Sequence, residues 1–290
     1  MTDSSNNVPV QPLYPDAGTP VPLPRLYLDA PLPDRGRFGP WIYGNFVATL
    51  DGRIALAHPE TGRLGVTASI GDARDWRLFQ ELAARADVLI TSGRYLRDLR
   101  LGAAQDVLPL SSKPPFVDLA EWRVEHGYPR QPDVAVMSGS LDFQIPEALF
   151  RQGRRVTVLT GTAAGDEAVH RHERSGARVM RISAGGAVKG DDVARTLGDM
   201  GYRRAYSVTG PYVLHALMQA GALDALFLTQ RHRIVGGEDY STITAGPVLT
   251  PPADLQLQWL YLDAATETAP GQQFARFSLE YPPSSAHADP

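Results

Sequence analysis

Apolar and polar positions along this chain repeat with two different periods, and the switches between them mark its elements. Short runs rich in β-branched, aromatic and other apolar residues predict strands over 41–50, 87–91, 133–137, 155–159, 178–182, 205–208 and 225–229. Between them a period near 3.6 predicts helices over 72–84, 145–151, 163–174, 191–200 and 211–220. Such alternation predicts an α/β fold with a mainly parallel central sheet flanked by helices. The last two apolar runs, 256–263 and 272–281, have no helix between them and predict an antiparallel C-terminal hairpin at one edge. From 99 to 132 the pattern gives no period, because Val107, Leu108 and Leu110 run straight into Ser111, Ser112, Lys113, Pro114 and Pro115. That stretch is expected as an excursion bordering a substrate site.

The ends differ from the middle. Residues 1–21 and 282–290 are rich in Ser, Asn, Pro and Gly, with too few periodic apolar positions to offset the entropy of ordering them. They predict a flexible arm and tail around one domain over 22–281. With 290 residues, 43% of them hydrophobic, the chain is long enough to bury a large core.

Charge narrows the partners. Twenty-eight basic against 32 acidic residues give a net charge of −4 and no basic face for a nucleic acid. Only Lys113 and Lys189 are lysines, a bias that reads as composition rather than chemistry. The absence of cysteine excludes thiolate nucleophiles and Cys-ligated metals. No apolar run approaches the 18 to 20 residues needed to span a membrane, and the expected location is the cytoplasm.

The candidate chemistry sits at strand ends, where parallel α/β sheets bind ligands. Asp51-Gly52 follows the first strand and puts a carboxylate beside backbone that lacks a side chain; it also reads as a plain turn. Thr91-Ser92-Gly93-Arg94 offers a hydroxyl, a close backbone approach and a guanidinium for a phosphate, or is an ordinary strand-to-helix turn. Leu159-Thr160-Gly161-Thr162 repeats the arrangement, with Thr162 equally suited to capping the next helix. Thr209-Gly210-Pro211-Tyr212 opens a helix with proline at its first position, so its free amides favour a pyrophosphate. Gly236-Gly237 is either a bulge that admits a ligand or a turn. His170 and His172, two apart on a helix, point to different faces, and His215 and His232 have no companion at ligand spacing, so no metal site is expected. No Gly-x-Gly-x-x-Gly run and no hydrolase triad is apparent. Hydride transfer from a bound nicotinamide asks least of such a set, because the cofactor carries the reactive atom.

Taken together, these segments resemble the reductase domain of the bifunctional riboflavin-biosynthesis deaminase-reductase, in the dihydrofolate-reductase-like superfamily. The resemblance covers about 40–281. It rests on 45–55, similar to Asn-x-x-x-Ser-Leu-Asp-Gly-Lys-Ile-Ala; on 72–87, similar to an acidic helix leading into Ala-Asp-Ala; on 209–229, similar to a Glu-Gly-Gly-Pro-Thr-Leu helix and its following strand; and on Ile234-Val235-Gly236-Gly237. It implies NADPH as cofactor and a ribosylamino-pyrimidine phosphate as substrate, reduced by direct hydride transfer. Asn45, Thr49, Asp51 and Gly52 would then lie on the substrate side, with Asp51 catalytic. Ser92, Gly93, Arg94, Thr160, Gly161, Thr209, Gly210, Pro211 and Tyr212 would lie along the cofactor. It also implies a homodimer, and a reductase standing alone. The sequence departs from the pattern at Val208 and Thr209, where it has Glu-Gly, at Tyr212 for Thr, at Thr49 for Ser and at Arg53 for Lys. Those departures leave open a pterin-type reductase of the same superfamily, or a nucleotide-binding relative without turnover.

Overall fold

The computed structural model describes residues 8–58, 60–108, 110–111 and 113–281. Its strands are β1 (Gln11–Tyr14), β2 (Trp41–Thr49), β3 (Ala55–Ala57), β4 (Leu64–Gly65), β5 (Val88–Ser92), β6 (Asp133–Met137), β7 (Val156–Gly161), β8 (Arg178–Ser183), β9 (Arg204–Ser207), β10 (Ala225–Arg231), β11 (Tyr240–Ser241), β12 (Asp254–Asp263) and β13 (Gln272–Glu280). The helices are α1 (Ala73–Arg85), α2 (Gly93–Arg100), α3 (Val117–Glu125), α4 (Glu147–Arg151), α5 (Asp166–Arg174), α6 (Gly190–Asp199) and α7 (Pro211–Gln219).

The main sheet runs β1-β12-β13-β10-β2-β9-β5-β6-β7-β8. Neighbours from β10 to β8 pair in parallel, and β13, β12 and β1 add antiparallel strands at the β10 edge. This is the mainly parallel sheet with a C-terminal hairpin that the sequence predicts. From β5 the chain steps outward through β6, β7 and β8, then returns to insert β9 between β2 and β5. Right-handed crossovers in opposite directions put their helices on opposite faces. One core accordingly joins α1 to α5 through Leu78, Leu82, Leu96, Leu119, Leu149 and Val169. The other joins α6 and α7 through Val193, Leu197, Val213, Leu214 and Leu217.

Two expectations are revised, and one element is added. Part of the stretch 1–21 expected as a loose arm is built into the fold, where Val10 is fully buried and β1 pairs with β12; just beyond it, inside the expected domain, Leu23, Tyr27 and Leu28 enter the core. Their apolar positions are too sparse to show a period, and side chains elsewhere hold them. Glu81, fully buried on α1, accepts from the backbone N–H groups of Arg25, Tyr27 and Leu28 at 2.6, 2.9 and 3.2 Å and from Arg77 Nε at 2.8 Å. The stretch 99–132 contains α3, whose Leu119 and Trp122 pack beneath α1 while Arg123 caps that helix's last carbonyls, Ala84 and Ala86, at 2.8 and 2.6 Å. A small sheet, β11-β3-β4, was not visible in the sequence because its strands are two or three residues long. The tail expected over 282–290 lies outside the described residues.

Removing Glu81 strands the amides of Arg25, Tyr27 and Leu28 and leaves Arg77 Nε without its acceptor. Glu81→Ala is expected to cost about 3–5 kcal/mol in urea unfolding, and a loss below about 1 kcal/mol would contradict the tether.

Candidate functional site

The carboxyl ends of β2, β9, β5, β6 and β7 lie side by side, and the helices that follow β5 and β9 leave in opposite directions. A crevice outside the sheet opens where two neighbouring strands diverge in this way. Its floor is a hydroxyl pair, Thr91 Oγ1 to Thr209 Oγ1 at 3.1 Å, both side chains buried. On one bank, Gly93 opens α2; a Cβ there would meet Phe143 at 2.7 Å and Ser138 Oγ at 2.8 Å, so only glycine fits. On the other bank, Gly210 has φ +65° and nothing near its missing side chain, and α7 begins at Pro211 with no side-chain cap. The first amides of α7 therefore have no side-chain cap at the helix's positive end. The Arg94 guanidinium sits 5.3 Å from the centroid of the Tyr212 ring, joining the banks. A cavity of about 220 Å³ lies alongside, lined among others by Ser92, Ser138, Gly139, Tyr212 and Val213.

The β7 end is arranged differently from expectation. Gly161 is a glycine because Gly185 O lies 2.0 Å from where its Cβ would be, and Gly139 meets Gly186 O in the same way at 2.2 Å. The Ser183–Lys189 loop thus lies directly on these two strand ends. Thr162 does not cap a helix: Gly165 holds that position for α5, and the Thr162 hydroxyl accepts from Gly185 N at 3.0 Å. Thr160 is fully buried, and its hydroxyl has no hydrogen-bond partner among the described residues. Ser92 caps α2, accepting from Tyr95 N at 3.2 Å.

On the β2 side, Asp51 is a clamp. Its Oδ1 accepts from the Thr49 hydroxyl at 2.5 Å, and its Oδ2 accepts from Gly236 N at 2.8 Å and Val235 N at 3.3 Å. The Thr49 hydrogen bond, followed by that of Gly236, holds its pKa below the usual carboxylate value. Arg53 adds to the clamp, with Nη1 on Asp51 O, Nε on Gly236 O and its guanidinium 4.2 Å from the Tyr240 ring centroid. Gly236 and Gly237 both adopt positive φ, so this pair is a turn that receives a carboxylate. Gly52, also at positive φ (+80°), leaves open space beside it.

Asn45 lies deeper on β2, on the same side as Thr49. Sequence reasoning missed two groups here. Ser138-Gly139 at the end of β6 repeats the hydroxyl–glycine pattern already noted after β5 and was findable by it. Asp75, in the first turn of α1, was not, because an acidic first turn is ordinary in helices. Here Asp75 is 7% exposed and lies against Thr229 of β10; burial raises its pKa to about 7, the neighbouring Asp72 adds to the rise, and Thr229 and Arg231 oppose it. Asp72 itself caps α1 and binds Arg231 and Gln272, which anchors that helix end over β10 and β13. Val208, where the resemblance expects a carboxylate, is buried and apolar.

Residues 40–265 match the family described as the RibD C-terminal domain. The chain belongs to that family. Among solved structures it is similar to a pyrimidine reductase-like protein of Corynebacterium diphtheriae, with 16% identity, a TM-score of 0.63, and 84% of this chain and 93% of the other covered. It is also similar to a riboflavin biosynthesis reductase of Saccharomyces cerevisiae, with 12% identity, a TM-score of 0.57, and 88% and 99% covered. A deaminase/reductase of Thermotoga maritima matches at 15% identity and a TM-score of 0.51; this chain covers 57% of it, while 83% of this chain is matched. No protein of curated function matches. These likenesses show the fold, a mixed α/β fold with a large, mainly parallel sheet shared with those structures, and the RibD family supports a reductase. Among the described residues no helix is long and apolar enough to cross a membrane.

A methyl group at 161 must push the Gly185 carbonyl away. Gly161→Ala is expected to cost about 1–3 kcal/mol and to speed hydrogen exchange at the Gly185 amide; unchanged exchange would contradict the packing of that loop.

Proposed function

We propose that the chain is an NADPH-dependent reductase that delivers hydride to a ribosylamino-pyrimidine phosphate or a related small heterocycle. The observation that carries this reading is the crevice between β5 and β9, with a glycine on each bank, an uncapped helix end and Arg94 stacked beside it on Tyr212. Such a cradle fits an anionic dinucleotide: backbone amides and the helix dipole favour the pyrophosphate, and a guanidinium favours a further phosphate. The nicotinamide, when bound, supplies the hydride.

The chain's own residues then position the reactants. Gly93 and Gly210 let the backbone approach the cofactor, Arg94 and Tyr212 flank it, and Ser138 and Gly139 border its far end. Thr209 and Thr91 fix the floor. Asp51 acts on the substrate side through its hold on the 234–237 turn and on Thr49, shaping the wall that a substrate meets. Two subunits pairing through sheet edges, and a cytoplasmic setting, belong to the same reading. The pterin-type alternative shares the cradle and differs in the ring it would accept.

NADPH is expected to raise the thermal midpoint in a concentration-dependent way, since a ligand of the folded state stabilises it by mass action; no shift with saturating NADPH or NADH would sink the reductase reading. Arg94→Ala is expected to weaken NADPH about 10-fold or more, in line with the loss of a charge-assisted contact, and NADH by less. Equal weakening of both would remove Arg94 from the extra phosphate. Asp51→Asn is expected to lose turnover while keeping NADPH affinity, and equal loss of both in steady-state kinetics and titration would contradict its substrate-side place.

A further inference from the structure

A second cavity, of about 190 Å³, shares no lining residue with the one beside the crevice. It lies where the last turn of α2, the loop after β6 and α5 meet, and is lined by Arg97, Arg100, Asp142, Phe143, Gln144 and Arg171. Two helices thus bring three guanidiniums to one small space that holds a single carboxylate. Asp142, largely exposed, pairs with Arg97 Nη1 at 3.1 Å. Arg171 donates through Nη2 to Leu141 O at 2.7 Å and keeps its other N–H groups. Among the described residues Arg100 makes no hydrogen bond and no ion pair. Three positive charges against one carboxylate and two helix ends of about half a charge each leave the pocket net positive.

We propose that this pocket is a second anion site, which takes the phosphate of a small sugar phosphate and whose occupancy is felt in the cofactor crevice. Guanidiniums grip phosphate through paired N–H donors, and three of them around one space suit its several oxygens. Arg100 and the free donors of Arg97 and Arg171 hold the phosphate, while the Gln144 amide and the edge of the Phe143 ring meet the sugar. The size selects the ligand. Drug-sized molecules occupy roughly 300–1,000 Å³, so this cavity suits a phosphate carrying one sugar ring and is too small for a dinucleotide.

The segment from Ser138 to Phe143 joins this pocket to the crevice. Phe143 lines the pocket and lies 2.7 Å from where a Cβ on Gly93 would stand, and Ser138 Oγ, which lies 2.8 Å from the same point, accepts from Leu141 N at 3.1 Å. Leu141 adopts φ +55°, uncommon for a residue with a side chain, and is held there from α5. Its carbonyl accepts from Arg171 Nη2 and, at 3.0 Å, from His172 Nε2, whose ring stacks on Phe143 with centroids 4.4 Å apart. From α2, Arg97 Nη1 donates to Asp142 O at 2.8 Å. The arginines that line the pocket are therefore the ones that position this segment. A phosphate bridging them fixes the segment and the Gly93 bank with it, so a cofactor that needs that bank binds a chain already ordered. This coupling rests on the reductase reading; the site itself does not.

The test uses the whole chain at constant ionic strength, with ribose 5-phosphate as the probe and inorganic phosphate and ribose beside it. Without cofactor, the probe is expected to shift the amide resonances of Asp142, Phe143 and Gln144; inorganic phosphate shifts them with weaker affinity and ribose leaves them in place. Arg100→Gln, at a residue with no partner to lose, is expected to keep the thermal midpoint and to weaken the probe about tenfold, as loss of a charge-assisted contact does. Asp142→Asn removes the competing carboxylate and is expected to tighten the probe about threefold, the size of an exposed ion pair. Arg94→Ala is expected to leave probe affinity unchanged, which separates this pocket from the crevice. Saturating probe is expected to tighten NADPH about fivefold, NADPH to tighten the probe by the same factor, and Arg100→Gln to remove the effect while keeping NADPH affinity without probe. No shift at these amides with millimolar probe, or an affinity indifferent to Arg100→Gln, overturns the site. Equal affinity for inorganic phosphate overturns the sugar phosphate as its ligand, and an NADPH affinity indifferent to bound probe overturns the coupling. Probe binding to a chain that does not bind NADPH overturns the reductase reading and leaves the site standing.

Discussion

The reversal of chain direction between β5 and β9 is the constraint on which the carboxyl edge depends. Because β9 is inserted between β2 and β5 after the chain has travelled out to β8, the helices that follow these neighbours part, and the sheet edge beneath them is left uncovered. The Thr91–Thr209 hydroxyl pair closes the floor, and glycines at 93 and 210 keep both banks open to backbone approach. A side chain at 93 would close one bank sterically. A residue other than glycine at 210 would strain the other through its positive φ.

The opposite end of the cleft is held by charge. Asp72 ties the start of α1 to Arg231 and Gln272, Arg74 ties it to Asp263 through two hydrogen bonds, and Glu81 ties the N-terminal segment to the same helix. Such pairs are individually costly to desolvate and specify geometry more than they stabilise it. Here the geometry specified is that of Asp75, pressed against Thr229 between fixed partners. Asp51 works in the same manner at the surface, where its carboxylate fixes the 234–237 turn.

The sequence was most legible where one period persisted. The 133–137 strand was predicted with the bounds it has, and the helix opening at Pro211 was placed correctly because proline and an apolar period agree. Turns after strands were legible as a class, and the β5 and β9 turns do converge. The backbone roles of individual side chains were harder to read: Ser92 caps α2 and Thr162 holds a loop, because a hydroxyl satisfies backbone as readily as ligand. The stretch around Arg25–Leu28 was hard to read because it is held by Glu81, more than 50 residues away. Asp75 was invisible for a related reason, since its character comes from burial against β10.

A crystal structure of the chain with NADPH tests the central claim most directly, namely that the cofactor lies across the β5–β9 crevice and faces the carboxyl end of β2. The account predicts the pyrophosphate at Gly210 and Pro211, Arg94 beside the ribose phosphate, and the nicotinamide turned toward Thr49 on β2. A dinucleotide bound elsewhere, or one whose nicotinamide points away from β2, would contradict it.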